Sequence, residues 1–210
     1  MKIQDSIKEK IGVAEKRILE LTKSNDLKRL SETEKYQIAN FYEEKSENRL
    51  KTAKLIYNAS KEADKKKIEL GRGYKDYAEV IAAAYYSMYY IIHAFLALKY
   101  KTKIGEALRG VHAVTEYIIL YYLVKTKKLA KHLYEQYLQT FETAAQIQKL
   151  SVEDFQEKAY EYAKQYDKSR AAREAFTYNV TPNIEEYHAK QAINSAEEFI
   201  NTIRQVMISE

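Results

Sequence analysis

Residues 169–180 read SRAAREAFTYNV, with Arg170 and Arg173 three positions apart and Tyr178 and Asn179 just beyond. Arginine presents a planar fork of N–H donors that matches phosphate oxygens. A neighbouring hydroxyl and side-chain amide add hydrogen bonds to the same kind of ligand. Arg170, Arg173, Tyr178 and Asn179 are therefore the candidate phosphate- or RNA-binding set. The stretch has no histidine, so it lacks a group that ordinarily takes and returns a proton near pH 7. Tyr178 is a poor substitute, because a free tyrosine titrates near pH 10. Three readings stay open: ion pairs of the arginines with Asp167, Glu174 or Glu185 that fasten two helices, phosphate binding, and catalysis.

Other chemistry is sparse. The chain has no cysteine, which removes disulfides, thiolate nucleophiles and thiolate metal sites. A carboxylate-bridged metal bundle needs paired Glu-x-x-His motifs. Only Glu185 to His188 has that spacing, so no metal site and no cofactor are expected. The glycine pair in GRG (71–73) is too short for a phosphate loop and has no Ser or Thr after it. Of the four histidines, His93 and His112 lie in apolar stretches and read as hydrogen-bonded core residues, whereas His132 follows lysines and reads as solvent-facing. His112 remains a weak catalytic candidate beside Arg173 and Tyr178. The 20 tyrosines include YYSMYY (85–90) and YY (121–122), which at helical spacing favour packing over base stacking.

The elements that must position these residues are helical. Five glycines and one proline in 210 residues leave little turn-forming material for sheets. Ile3, Ile7, Ile11, Ala14, Ile18 and Leu21 recur at three- and four-residue spacing and predict a first helix over 1–23. SNDL (24–27) breaks it, and Ser31 with Glu34 forms a capping-box pattern for a second helix. Further helices are expected over about 74–100, 107–124, 128–150, 151–176 and 183–208, the sixth restarting at Ser151 with Asp154 and the last following Thr181-Pro182. On the last helix, Ile184, Tyr187, His188, Gln191, Ala192, Ser195, Phe199, Ile203 and Val206 are expected on one side. No segment has strand periodicity, so the expected class is all-α: a bundle of mainly antiparallel helices.

The uncharged run Val80–Leu98 is nearly long enough to cross a membrane. Its four tyrosines, serine and histidine favour the central helix of a soluble bundle instead, with no membrane partner. Residues 1–20 carry charge throughout and do not read as a signal peptide, and the missing cysteines fit a reducing, cytoplasmic setting. Net charge is +5, whereas residues 99–132 alone carry eight basic and two acidic side chains. Such a run either attracts phosphate backbones or solubilises helix ends.

The order of these features resembles the HEPN family of helical bundles. YKDYAEVIAAAYYSMYYIIHAFLALKY (74–100) is similar to the family's signature helix, and GVHAVTEYIILYYL (110–123) to the helix that follows it. AREAFTYNVTPNIEEYHAKQAINSAEEFI (172–200) resembles the C-terminal block, and ENRLKTAKLIYNA (47–59) fits the first core helix. The resemblance implies a four- to five-helix bundle over 46–208, with an N-terminal helical arm over 1–45 and an inserted helix within about 128–160. It further implies a homodimer, a nucleotidyltransferase-fold partner, and a place in toxin–antitoxin or other defence systems. Many members are metal-independent ribonucleases whose arginine is followed, four to six residues on, by histidine. Here Arg173 aligns with that arginine, Glu174 follows it, and Tyr178, Asn179 and Val180 occupy the histidine positions. The expectation is thus a non-catalytic module that binds RNA, a nucleotide or a partner protein. The alternatives are a divergent ribonuclease using Arg173 with Tyr178 or a distant histidine such as His112, and a purely structural interaction bundle.

Overall fold

The computed structural model describes residues 2–61, 74–148 and 186–209. Six α-helices fall within them: α1 (Lys2–Lys23), α2 (Glu32–Ala59), α3 (Tyr77–Tyr100), α4 (Val111–Ile118), α5 (Lys131–Gln148) and α6 (Glu186–Ile208). The chain is an all-α bundle. At its centre is α3, whose three residues Tyr85, Tyr89 and His93 recur every four positions on one side. Its most extensive interface is with α2, followed by those with α6 and α5. By length and composition α3 could cross a membrane, but 89% of its most apolar window is buried inside the bundle. A helix apolar on all sides is stable in water only when neighbours cover every side.

Several helix ends follow directly from local sequence. At α2, the Ser31 side chain accepts from the Glu34 backbone N–H while the Glu34 carboxylate accepts from the Ser31 backbone N–H at 2.8 Å. The Asp76 carboxylate caps α3 by accepting from the Glu79 N–H at 3.1 Å. Lys101, with φ of 50°, ends that helix in the left-handed conformation.

Two short strands depart from the sequence expectation. β1 (Leu27–Arg29) pairs antiparallel with β2 (Thr102–Ile104). Three residues are too few to display alternation, and each strand lies in what reads as a turn. Lys28 stands directly opposite Lys103, a like-charge pair that is unfavourable on its own. Glu106 relieves it, accepting from Lys28 at 2.8 Å and from Lys103 at 2.6 Å. Gly105 completes the junction: its N–H donates to the Asp26 carbonyl at 2.7 Å, and a Cβ there would sit 3.1 Å from that same oxygen.

Helix α4 begins at Val111, four residues later than expected, because Gly110 adopts a left-handed φ of 70° immediately before it. It passes into a π-helical turn, Ile119–Val124. The wider turn accompanies three successive buried side chains, Ile118, Ile119 and Leu120. No break in α2 matches the boundary expected after residue 45, and Ala14, Ile18 and Leu21 of α1 belong to the main core. Leu133, Tyr134, Tyr137 and Phe141 of α5, the described part of the expected insertion, are in that core as well.

The buried face of α6 includes Ala192, Ser195, Phe199 and Ile203 of the expected stripe but departs from it at the start of the helix. Ala189, Ala192, Ile193, Ala196, Phe199, Ile200, Ile203 and Met207 face the core, while Tyr187 and His188 are exposed. Ion pairs fix the other side of the helix against α2: Arg204 to Glu43 at 2.9 Å and Lys54 to Glu197 at 2.5 Å.

Candidate functional site

Arg170, Arg173, Tyr178 and Asn179 lie outside the described residues, as do Glu185, the Ser151 cap and the Thr181-Pro182 pair. Of the predicted site residues, the structure places His112. It sits in the first turn of α4, half-buried, with Nδ1 2.7 Å from the hydroxyl of Tyr85 and in hydrogen bond with it. Tyr85 is fully buried on α3, and burial holds its hydroxyl protonated far above the usual tyrosine range. The rings of Tyr86, Tyr89 and Phe141 also surround His112.

His93 lies one turn beyond Tyr89 and is nearly inaccessible. Its Nε2 is 3.3 Å from Thr115 Oγ1, while that hydroxyl donates to the Val111 carbonyl at 2.8 Å. The threonine proton is thus engaged, so His93 donates from Nε2 and keeps its lone pair on Nδ1. Desolvation, with a smaller contribution from nearby His112, pushes His93 down to about 3. Both histidines are hydrogen-bonded parts of the packing, as their apolar surroundings in the sequence imply. His132 is solvent-exposed on α5, 3.3 Å from Glu198, and His188 is exposed on α6. No group of three metal-ligating side chains occurs among the described residues.

The state of His93 has a measurable consequence. Between about pH 6.5, where an unfolded histidine titrates, and about pH 3, the unfolded chain binds a proton that the folded chain does not. Stability therefore falls as pH drops through that window. Urea midpoints measured from pH 7 to pH 4 are expected to fall more steeply for the wild type than for His93→Phe. Parallel slopes would show that His93 titrates normally in the folded chain.

Most of the described tyrosines pack, Tyr36 and Tyr187 being exposed, and several place the hydroxyl on a polar partner. Tyr134 donates to the buried Glu116 carboxylate at 2.8 Å, and Tyr57 donates to Glu186 at 2.9 Å. The basic run 99–132 is dispersed across the surface by ion pairs: Lys101 to Glu32, Lys103 to Glu106, Lys125 to Glu15 and Lys131 to Glu135. Lys127 and Lys128 are exposed.

Two surface clefts stand out. One, of about 350 Å³, lies between α1 and α4 and is lined by Lys16, Arg17, Glu20, Arg109 and Tyr117 over an apolar floor; Arg17 pairs with Glu20 at 3.2 Å. The other, of about 230 Å³, opens where α2, α3 and β2 meet. Phe41, Tyr42, Tyr89 and His93 form its aromatic walls, and Lys103 and Glu106 stand at its edge. Sequence reasoning missed this second cleft. Its one local signal is the adjacent pair Phe41-Tyr42 in an otherwise polar part of α2.

Comparison with family models, with curated proteins and with solved structures found no match to this chain.

Proposed function

We propose that this chain is a HEPN-like bundle that binds RNA or a nucleotide without cleaving it. The reading rests on the residue patterns of 47–59, 74–100, 110–123 and 172–200, together with the all-α architecture. One observation favours binding over cleavage: His112, the histidine candidate, has its Nδ1 tied to a buried tyrosine hydroxyl. Five positions after Arg173 in the sequence, Tyr178 occupies a place where the family's nucleases carry a histidine. Cleavage by the RNA's own 2′-hydroxyl needs a proton acceptor near neutral pH, while holding the phosphate needs only the arginine fork. The homodimer, the nucleotidyltransferase-fold partner and the role in defence systems belong to the same proposal and rest on the resemblance alone.

Incubation with end-labelled single-stranded RNA, in chelator and at low salt, tests it. The expected result is a retarded complex of full-length RNA, weakened about tenfold in Arg173→Ala, the effect of losing one charge-assisted phosphate contact. Cleavage that disappears in Arg173→Ala or His112→Ala would overturn the proposal in favour of a divergent ribonuclease. Failure to bind RNA or nucleotide at any salt concentration would overturn it in favour of an interaction bundle.

A further inference from the structure

We propose that the cleft between α2, α3 and β2 holds a nucleobase, with the attached phosphate drawn to the lysines at its mouth. This inference rests on the nucleotide- or RNA-binding reading and assigns it a site separate from the arginines of 169–180.

The cleft has the composition that a flat heteroaromatic ring requires. Phe41 is 49% exposed, with the Tyr42 ring edge-on beside it and the Lys45 ammonium over its face. Tyr42 continues the wall inward, its ring 4.9 Å from that of His93 and 6.0 Å from that of Tyr90. Tyr89 closes the inner end, its ring 4.4 Å from His93. Ile38, Ile104 and Val111 supply the apolar remainder. A volume of about 230 Å³ is below the usual range for drug-sized ligands and suits a single ring system. His93 is the polar ring in this wall. It is neutral, its Nε2 is committed to Thr115, and the acceptor it retains is Nδ1. This neutral ring extends the aromatic wall and gives no attraction to a carboxylate.

The mouth is cationic. Lys103 lines it, Lys28 shares Glu106 with Lys103, and Lys45 lies 4.5 Å above the Phe41 ring. Three ammonium groups meet the carboxylate of Glu106 and, within electrostatic reach of Lys103, that of Glu34, which leaves a net charge of plus one at the rim, next to the half-exposed aromatic. Aromatic platforms beside a basic edge are how proteins hold unpaired bases, the ring stacking while the backbone meets the charge. Glu106 and the β-hairpin-like pairing hold Lys28 and Lys103 on the same side, so the charge is positioned by the fold.

The probes are 5′-ribonucleoside monophosphates, the corresponding nucleosides and a short labelled single-stranded RNA, each titrated into the full chain at low salt. Phe41→Ala is the main variant, because its half-exposed ring can be removed with little effect on folding; an unchanged thermal midpoint checks this. Lys103→Gln is the second. The expected results are a loss of affinity of about tenfold in Phe41→Ala, in keeping with one stacked base, and a smaller loss in Lys103→Gln that vanishes when the nucleoside replaces the monophosphate. Monophosphates that bind as tightly as RNA identify a free nucleotide as the ligand, and binding of RNA alone identifies a strand; either outcome with the Phe41→Ala loss supports the cleft. Wild-type binding that Phe41→Ala and Lys103→Gln leave intact, but Arg173→Ala abolishes, would overturn this inference and leave the binding proposal standing. No binding of any probe would overturn both.

Discussion

Ser46→Leu is expected to destabilise the chain by about 3 kcal/mol, combining an overpacked interface with a lost buried hydrogen bond. Ser46 is 0% exposed, and its hydroxyl donates to the Ser87 carbonyl at 2.7 Å across the α2–α3 interface. It belongs to a seam of small buried residues, Ala39, Ser46 and Ala53 on α2 and Ser60 at its C-cap, repeated every seven positions. Across the interface, α3 carries Ser87, whose carbonyl meets Ser46, and Ala97, which clusters with Ala39, both completely buried. Small side chains on both surfaces let the two helix backbones approach closely. A leucine at the centre of the seam has no space, so either its rotamer is strained or the helices separate. Ser46→Ala keeps the volume and loses only the hydrogen bond, so its cost should be about 1 kcal/mol. Urea denaturation of the three proteins measures both values. Equal midpoints for Ser46→Leu and Ser46→Ala would show that the seam is loosely packed.

The second large effect is expected on α6. Phe199→Ala should cost about 3–5 kcal/mol, the usual range for emptying an aromatic site in a core. Phe199 is 0% exposed and stacks on the fully buried Tyr137, ring centroids 5.6 Å apart. Tyr187, on the same helix, is 67% exposed. Tyr187→Ala should stay within about 0.5 kcal/mol of the wild type, as surface substitutions do. The expected stripe counted both residues, yet twelve positions on a helix set them about 120° apart, so this pair tests which part of that stripe the fold covers. Comparable losses in the two variants would mean that α6 is rotated from the position described.

The two predictions also separate what was legible along the chain from what was not. Helix existence and most helix starts were legible, because they depend on neighbours a few residues away. The Ser31–Glu34 box and the apolar α3 are of this kind. Packing His93 and His112 as hydrogen-bonded core residues followed from the apolar runs that contain them. The small-residue seam was present in the sequence as a seven-residue repeat, but its meaning depends on which helix meets it.

Other features needed partners distant in sequence. β1 and β2 are each three residues long and exist only through each other, with paired positions 73 to 77 residues apart along the chain. On α6 the expected stripe is buried at Ala192, Ser195, Phe199 and Ile203 but not at Tyr187 and His188, since which turns of a helix are covered depends on the helices packed against it. The aromatic cleft gathers residues 38–42, 89–93 and 103–111, three segments that no local pattern connects. The amino-acid sequence alone determined that this protein is an all-α bundle with α3 buried, since helix periodicity and turn scarcity are local properties. Only the tertiary structure decided which small residues meet, which side of α6 is covered and where an open aromatic cleft remains, since those depend on the pairing of surfaces far apart along the chain.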